Sequence, residues 1–162
     1  MNLLIDIGNT ASKLALFDRG RLVKKSVHDS LTASIVESFT AKEQVESSIL
    51  CAVGELPEEL KTALIPGWIE LGPETPLPIE NEYQSKATLG YDRIASVVGA
   101  MEQILNRDIL CIDIGSCVTY DFLSRDKKYY GGGISPGLEQ RFKALHQFTD
   151  KLPLESLPKD ID

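Results

Sequence analysis

Two stretches of the chain carry the residue types that phosphate chemistry needs, "LLIDIGNTASKLALF" over residues 3–17 and "LCIDIGSCVTYDFL" over residues 110–123. Laid over each other, Leu3, Ile5, Asp6, Ile7, Gly8 and Leu16 recur as Leu110, Ile112, Asp113, Ile114, Gly115 and Leu123. In each copy an apolar strand delivers an aspartate, then a glycine, then small polar residues: Asn9, Thr10 and Ser12 in the first, Ser116 and Thr119 in the second. The glycine lets the backbone turn sharply and approach a ligand closely. Peptide N–H groups and hydroxyls in such a turn cradle phosphate oxygens. An aspartate at a strand end can hold a hydrated cation that offsets phosphate charge. One copy alone reads equally well as a strand end with a turn. Two copies point to a pair of turns clamping a nucleotide from both sides. No GxxxxGK[ST] loop is present, so this is not a P-loop.

The bulk composition narrows the partners. With 43% hydrophobic residues the chain can bury a core, and 162 residues suit one ordinary domain or two small ones. The net charge is −7, from 17 basic against 24 acidic residues, which argues against nucleic-acid binding through a basic face. The opening "MNLLIDIGNT" lacks a basic n-region, and no apolar stretch reaches membrane-spanning length, so neither a signal peptide nor a membrane partner is expected. Cys51, Cys111 and Cys117 form no CxxC pair, and His28 and His146 are the only histidines. Zinc is not expected; reduced thiols in a cytoplasmic protein are.

Around the turns the pattern is α/β. Strands are predicted over 2–7, 12–18 and 21–27, with "DRG" (18–20) as a hairpin turn. A weak helix follows over 31–45, then a strand at 47–53 and a helix over 56–65, with Pro57 early, acids in its first turn and Gly67 beyond its end. "WIEL" (68–71) reads as a short strand, and the proline-rich 72–92 as a crossing loop. Ile94, Val97, Val98, Met101 and Ile104 or Leu105 fall at helical spacing, which predicts a helix over 92–106. Strands follow in 109–115, "VTYDFL" and "KKYYGG". A last helix is expected with Ser135 as N-cap, Pro136 at its first position and Leu138, Phe142 and Leu145 on its apolar face. From Lys151 the tail is expected to be loose. Trp68 reads as core or interface filler.

The duplicated turns resemble those of the acetate kinase, sugar kinase, heat-shock and actin superfamily. More particularly, the chain resembles type III pantothenate kinases. Four motifs in order carry the likeness: "DIGNTASK" (6–13), "GYDR" (90–93), "DIGSCVTYD" (113–121) and "GGGISPGLEQRFKALHQFTDKLP" (131–153). The resemblance implies duplicated actin-like, ribonuclease H-like domains with mixed sheets. Residues 1–107 would form the first, including the pantothenate-site loop and helix, and 108–162 the start of a second.

The resemblance also implies roles. ATP would be bound by Asp6, Ile7, Gly8, Asn9, Thr10, Ala11, Ser12, Lys13 and Ser116, with Asp6 facing magnesium through water. Asp92 would be the base that activates the hydroxyl of pantothenate. Tyr83, Gly90, Tyr91, Asp92 and Arg93 would line the pantothenate site, and Asp113 would bind a monovalent cation, potassium or ammonium. The implied reaction is ATP-dependent phosphorylation of pantothenate to 4′-phosphopantothenate, the first step toward coenzyme A, in a homodimer. The chemistry agrees: phosphoryl transfer needs positioned reactants, neutralised charge and one carboxylate to accept the alcohol's proton. A non-catalytic relative of the fold, or a kinase for another small molecule, is the alternative.

Arg93 can pair with Asp92 or with pantothenate's carboxylate, and both pairings are open at this point. Two departures stand out. Ser116–Cys117 replaces the Thr–Ala usual in the family, which keeps the hydroxyl. And residues 16–112 separate the two copies, whereas only 114–162 follow Asp113, so the second domain is expected to be incomplete, with exposed apolar surface and weak or absent activity.

Overall fold

The strand that ends in the first turn is the centre of the first sheet. In the computed structural model, which describes residues 1–53, 56–64 and 67–157, β1 (Asn2–Ile7) lies between an antiparallel and a parallel neighbour. The sheet runs β3-β2-β1-β4-β5, with β2 at Ser12–Asp18, β3 at Arg21–His28, β4 at Ser47–Ala52 and β5 at Ile69–Glu70. Period-two alternation sorts its faces. Leu3 and Ile5 stand opposite Leu16 and Leu14, and Ile5 also opposite Leu50, all buried on one side. There they form a core with Val36 and Phe39 of α1 (Ala33–Thr40) and Leu60 of α2 (Glu58–Thr62), against which Trp68 is partly buried. The opposite face carries Asp6, with Lys13 beside it on β2 and Cys51 beside it on β4.

Local chemistry explains most boundaries. Arg19 (φ 46°) and Gly20 (φ 79°) form a two-residue hairpin loop between the paired Asp18 and Arg21, as "DRG" predicts. Exposed β3 is an edge strand, and its charged Lys24 and Lys25 suit that place. Thr32 caps α1, its hydroxyl accepting from the Ile35 N–H. This helix stops well short of residue 45: Thr40 Oγ1 donates back to the Val36 carbonyl, and the Glu46 N–H is taken by the Met1 carbonyl. Pro57 is the N-cap of α2 rather than a residue of its first turn, and Ile65, the expected end of that helix, lies outside the described residues.

The expected crossing loop contains more order than its prolines suggest. Glu80–Asn81 form a short strand, β6, pairing in parallel with β9 (Lys128–Pro136), and Lys86–Thr88 make a 3-10 turn. Helix α3 runs Tyr91–Gln103 with Ile94, Val97 and Met101 buried. It ends before Ile104 and Leu105, which stay exposed, and Asn106 (φ 56°) turns the chain toward β7 (Ile109–Ile114).

The second sheet runs β6-β9-β8-β7, with β8 at Cys117–Leu123 and the last three strands antiparallel. Its β7-β8-β9 meander repeats the order of β1-β2-β3, so the sequence repeat is a repeat of topology. One expectation is corrected here. Ser135 and Pro136 do not open the last helix; they pair with Val118 and Cys117 at the end of β9. Gly137 is the N-cap, and α4 spans Leu138–Gln147 with Leu138 and Leu145 exposed. Residues 152–157 have no regular structure.

The chain forms two compact units, Met1–Leu77 with Ala87–Asp92, and Pro78–Lys86 with Arg93–Asp162. Residues 78–86 and 93–107, which precede the second copy in sequence, therefore pack in the second unit.

Glycines give a direct test of the packing. A Cβ on Gly132 would lie 2.0 Å from the Tyr120 carbonyl oxygen, a backbone atom that cannot yield cheaply, whereas one on Gly99 in α3 would meet nothing within 4 Å. Gly132→Ala is expected to destabilise by about 2 kcal/mol or more. Gly99→Ala is expected to stabilise by about 0.5–1 kcal/mol, since helical glycine costs backbone entropy. Urea unfolding midpoints read both; equal effects would refute the packing assigned to Gly132.

Candidate functional site

The first turn spans Gly8–Ala11, closed by the Gly8 N–H donating to the Ala11 carbonyl at 3.2 Å. A side chain on Gly8 would come 3.0 Å from that same oxygen, a tight contact that the turn could accept only by shifting a few tenths of an ångström. Asn9, Thr10 and Lys13 are exposed, Ile7 and Ala11 half-buried, and Ser12 buried. Lys13 Nζ donates to Asp6 Oδ2 at 2.9 Å across the β1–β2 pair. The turn thus presents an amide, a hydroxyl and an ammonium whose partner is the candidate metal-facing carboxylate.

The second turn is tighter. The Gly115 N–H donates to the Cys117 carbonyl at 2.9 Å, and the Gly137 N–H to the Ser116 carbonyl at 3.0 Å. Gly137 seats itself on this turn: a Cβ there would lie 2.3 Å from the Gly115 oxygen and 2.5 Å from that of Ser116. Asp113 is exposed, with Thr119 where the first copy has Lys13. Among the described residues no group of three His, Cys, Asp or Glu side chains could hold a metal ion.

The "GYDR" motif is split between the units. Gly90, Tyr91 and Asp92 belong to the first, where Asp92 lies in the first turn of α3, a favourable place for an acid. Its Oδ1 folds back so closely that a Cβ on Gly90 would come within 2.4 Å of it. Burial pushes the Cys51 thiol up to about 12, and the charges of Asp92 and then Asp6 add to the rise. The two carboxylates expected in catalysis and metal binding therefore both bear on one thiol, on the sheet face away from the core.

Arg93 belongs to the second unit and takes a partner that the sequence reading did not name, Asp121. Its Nε donates to Asp121 Oδ1 and Oδ2 at 3.0 and 3.1 Å, and its Nη2 to Oδ1 at 2.7 Å. Tyr129 Oη donates to the same Oδ1 at 2.6 Å. Asp121 is 1% exposed and Tyr129 0%. The guanidinium carbon lies 5.6 Å from the centre of the Tyr83 ring. A Cβ on Gly131 would lie 2.2 Å from that ring, so Gly131 makes the room for it. Burial pulls the Arg93 guanidinium down, but the hydrogen bond and charge of Asp121 outweigh it and hold it above its ordinary value. Burial, then the bond to Asp121, pushes the Tyr129 hydroxyl up.

Sequence reasoning did not single out Asp121, Tyr129 or Gly131. A signal was there: Asp121 alternates with Leu123 on the inward side of a strand, where a carboxylate needs a cation.

A raised thiol gives a pH test. The folded Cys51 holds its proton above the ordinary value of 9.0, so the stability it contributes is fully present below pH 9 and is lost as pH rises toward about 12. The urea midpoint is expected to fall over that window, and Cys51→Ala to flatten part of the fall, the rest belonging to Tyr129. At pH 8 iodoacetamide should modify Cys51 far more slowly in the folded chain than in urea; equal rates would refute its burial.

Comparison with known proteins gives the same direction. The family model for type III pantothenate kinases matches residues 2–161. A type III pantothenate kinase of Bacteroides fragilis is 45% identical over 159 residues, 95% of this chain and 65% of the relative. One from Phocaeicola vulgatus is 43% identical over 164 residues, 99% of this chain and 68% of the relative. The chain thus spans about two thirds of the length of these relatives. Among solved structures, a Campylobacter jejuni protein described as a Baf family transcriptional activator is 25% identical, with a TM-score of 0.52 over 98% of this chain and 68% of that one. A Sinorhizobium meliloti protein described as a 2-dehydro-3-deoxygalactonokinase shares the fold at 10% identity, with a TM-score of 0.52 over 92% of this chain and 58% of that one. With residues 2–161 inside the family match, the chain belongs to the type III pantothenate kinase family.

Proposed function

We propose that the chain carries out ATP-dependent phosphorylation of pantothenate to 4′-phosphopantothenate, in the cytoplasm and as a homodimer. The observation that supports this best is the match of residues 2–161 to the type III pantothenate kinase family model, with the candidate proton acceptor Asp92 in the first turn of α3 and the candidate cation-facing Asp6 in β1, both in the first unit.

In this reading the primary hydroxyl of pantothenate attacks the γ-phosphorus of ATP. Asp92 takes the hydroxyl proton as the new O–P bond forms and the bond to the leaving ADP breaks. Asp92, half-buried, folds back toward Gly90 at the start of α3. Gly8, Asn9 and Thr10 line the ATP phosphates through amide and hydroxyl groups, and Lys13 supplies positive charge beside them. Ser116 contributes from the second turn.

The donor set fits cations that arrive with the phosphates and keep their waters, since among the described residues Asp6 and Asp113 belong to no group of three metal-ligating side chains. Asp6 would face magnesium through water and Asp113 would hold potassium or ammonium; bound there, they neutralise charge on the transferring group.

The test is ADP release from ATP in potassium buffer with magnesium, with and without pantothenate. Asp92→Asn is expected to lower pantothenate-dependent turnover about 10²–10⁴-fold, the range for a lost general base, with ATP affinity held within about twofold. Undiminished turnover in this variant removes Asp92 from the role. Binding of both substrates without turnover in the unmodified chain identifies a non-catalytic relative. ATP consumption indifferent to pantothenate identifies another acceptor.

A further inference from the structure

Tyr83, an expected wall of the pantothenate site, is fixed by its own unit through both backbone and ring. Its N–H donates to Asn81 Oδ1 at 3.0 Å, and the preceding Glu82 N–H donates to the Tyr129 carbonyl at 2.8 Å, which fastens the segment to β9. The ring of Tyr129 lies 6.3 Å away, centre to centre, at a tilt of 42°. The Arg93 guanidinium carbon stands 5.6 Å from the Tyr83 ring centre, and Arg93 also hydrogen-bonds to the tyrosine side chain. Both neighbours are tied to the buried carboxylate of Asp121, so neither yields readily. The ring also rests on the backbone of β9. A Cβ on buried Gly131 would lie 2.2 Å from Tyr83 Cδ2 and 2.5 Å from Cε2, far inside van der Waals contact.

We infer that Gly131 is a positioning residue for the phosphate acceptor: by staying bare it seats the Tyr83 ring, and the seated ring sets where pantothenate lies. The inference rests on the proposed pantothenate site. A tyrosine has only two rotatable side-chain bonds, so a ring blocked on several sides is a rigid wall rather than an adaptable one. Rigidity matters because the acceptor hydroxyl must arrive about 3–3.5 Å from the phosphorus, and a misplacement of about 1 Å can cost about 10²-fold in rate. A methyl group at 131 must displace either β9 or the ring. Strand β9 is hydrogen-bonded to β8 on one side and β6 on the other, so the ring yields first. Glycine has a second reason to be there, its φ of 75°, which other residues adopt only under strain. That strain does not depend on Tyr83, so a double-mutant cycle separates the two effects.

The experiment measures KM for pantothenate and for ATP in the unmodified chain, Gly131→Ala, Tyr83→Leu and the double variant. Gly131→Ala should raise the pantothenate KM about tenfold or more while the ATP KM stays within about twofold. In the Tyr83→Leu background, with no ring to displace, the same change should alter the pantothenate KM by less than about twofold. An equal rise in both backgrounds, or no rise in Gly131→Ala, would make Gly131 a backbone glycine only and overturn the inference. If Gly131→Ala does not fold, the double variant should, because the collision is gone; a double variant that also fails traces the damage to φ and overturns the inference too. A substrate-free readout separates this from failure of the kinase reading. In the unmodified chain the α-protons of Gly131 should give nuclear Overhauser cross-peaks to the ring protons of Tyr83. Their absence refutes the seat whatever the activity. If they are present but the chain neither binds nor phosphorylates pantothenate, the kinase reading falls and the positioning role falls with it.

Discussion

A carboxylate at the centre of a β-sheet is tolerated only when its oxygens are occupied, and the second unit is built around one. Asp121 sits in the middle strand of the β7-β8-β9 meander. Taking such an ion out of water costs several kcal/mol, and stripping away one partner of a buried pair costs about 3–5 kcal/mol. Both oxygens accept from Arg93, and Oδ1 accepts again from Tyr129. The surroundings follow from that demand. Tyr129 must point inward on β9, and Tyr83 is drawn over the guanidinium. Gly131 must be bare to admit Tyr83, and Gly132, opposite Asp121, must be bare because β9 runs so close to the backbone of β8. What looks in the sequence like a flexible glycine run is a close-packed surface.

The two copies of the repeated phrase share architecture but divide the chemistry. Each ends its first strand in Asp-Ile-Gly and returns antiparallel, yet the residue opposite the aspartate differs. Lys13 faces Asp6 and ties it into an ion pair, whereas Thr119 faces Asp113 and leaves it with a neutral neighbour. The turns differ as well, the first closing from Gly8 to Ala11 and the second from Gly115 to Cys117. The first loop is wider and has an ammonium beside it; the second is narrower, with an exposed carboxylate beside it and Gly137 packed on its back.

Features encoded within a few residues were legible in the sequence, and those requiring a distant partner were not. The strands β1, β2 and β4 follow from alternation, α3 from its helical spacing, and the Arg19–Gly20 hairpin from the need for positive φ. Strand β6 was not legible, because two residues carry no period and its order comes from β9, far along the chain. Ser135–Pro136 shows the reverse failure. The pair satisfies every local rule for a helix start, but pairing with Val118 and Cys117 extends the sheet through it, and the cap passes to Gly137. At the site, Asp92 and the glycine turns could be named from motifs alone. The partner of Arg93 could not, since Asp121 lies 28 residues away on a strand whose inward face is fixed only once the sheet is paired.

That hidden partner bears on the motif itself. Successive residues of an α-helix project about 100° apart, so Asp92 and Arg93 cannot serve the same direction from the first turn of α3. Arg93 anchored to β8 fixes the rotation of the helix about its own axis. Within the first unit, Gly90 clears the space into which the Asp92 carboxylate folds. Anchored to Asp121, Arg93 ties its end of the motif to β8, which is why an apparently dispensable strand aspartate belongs to the logic of "GYDR".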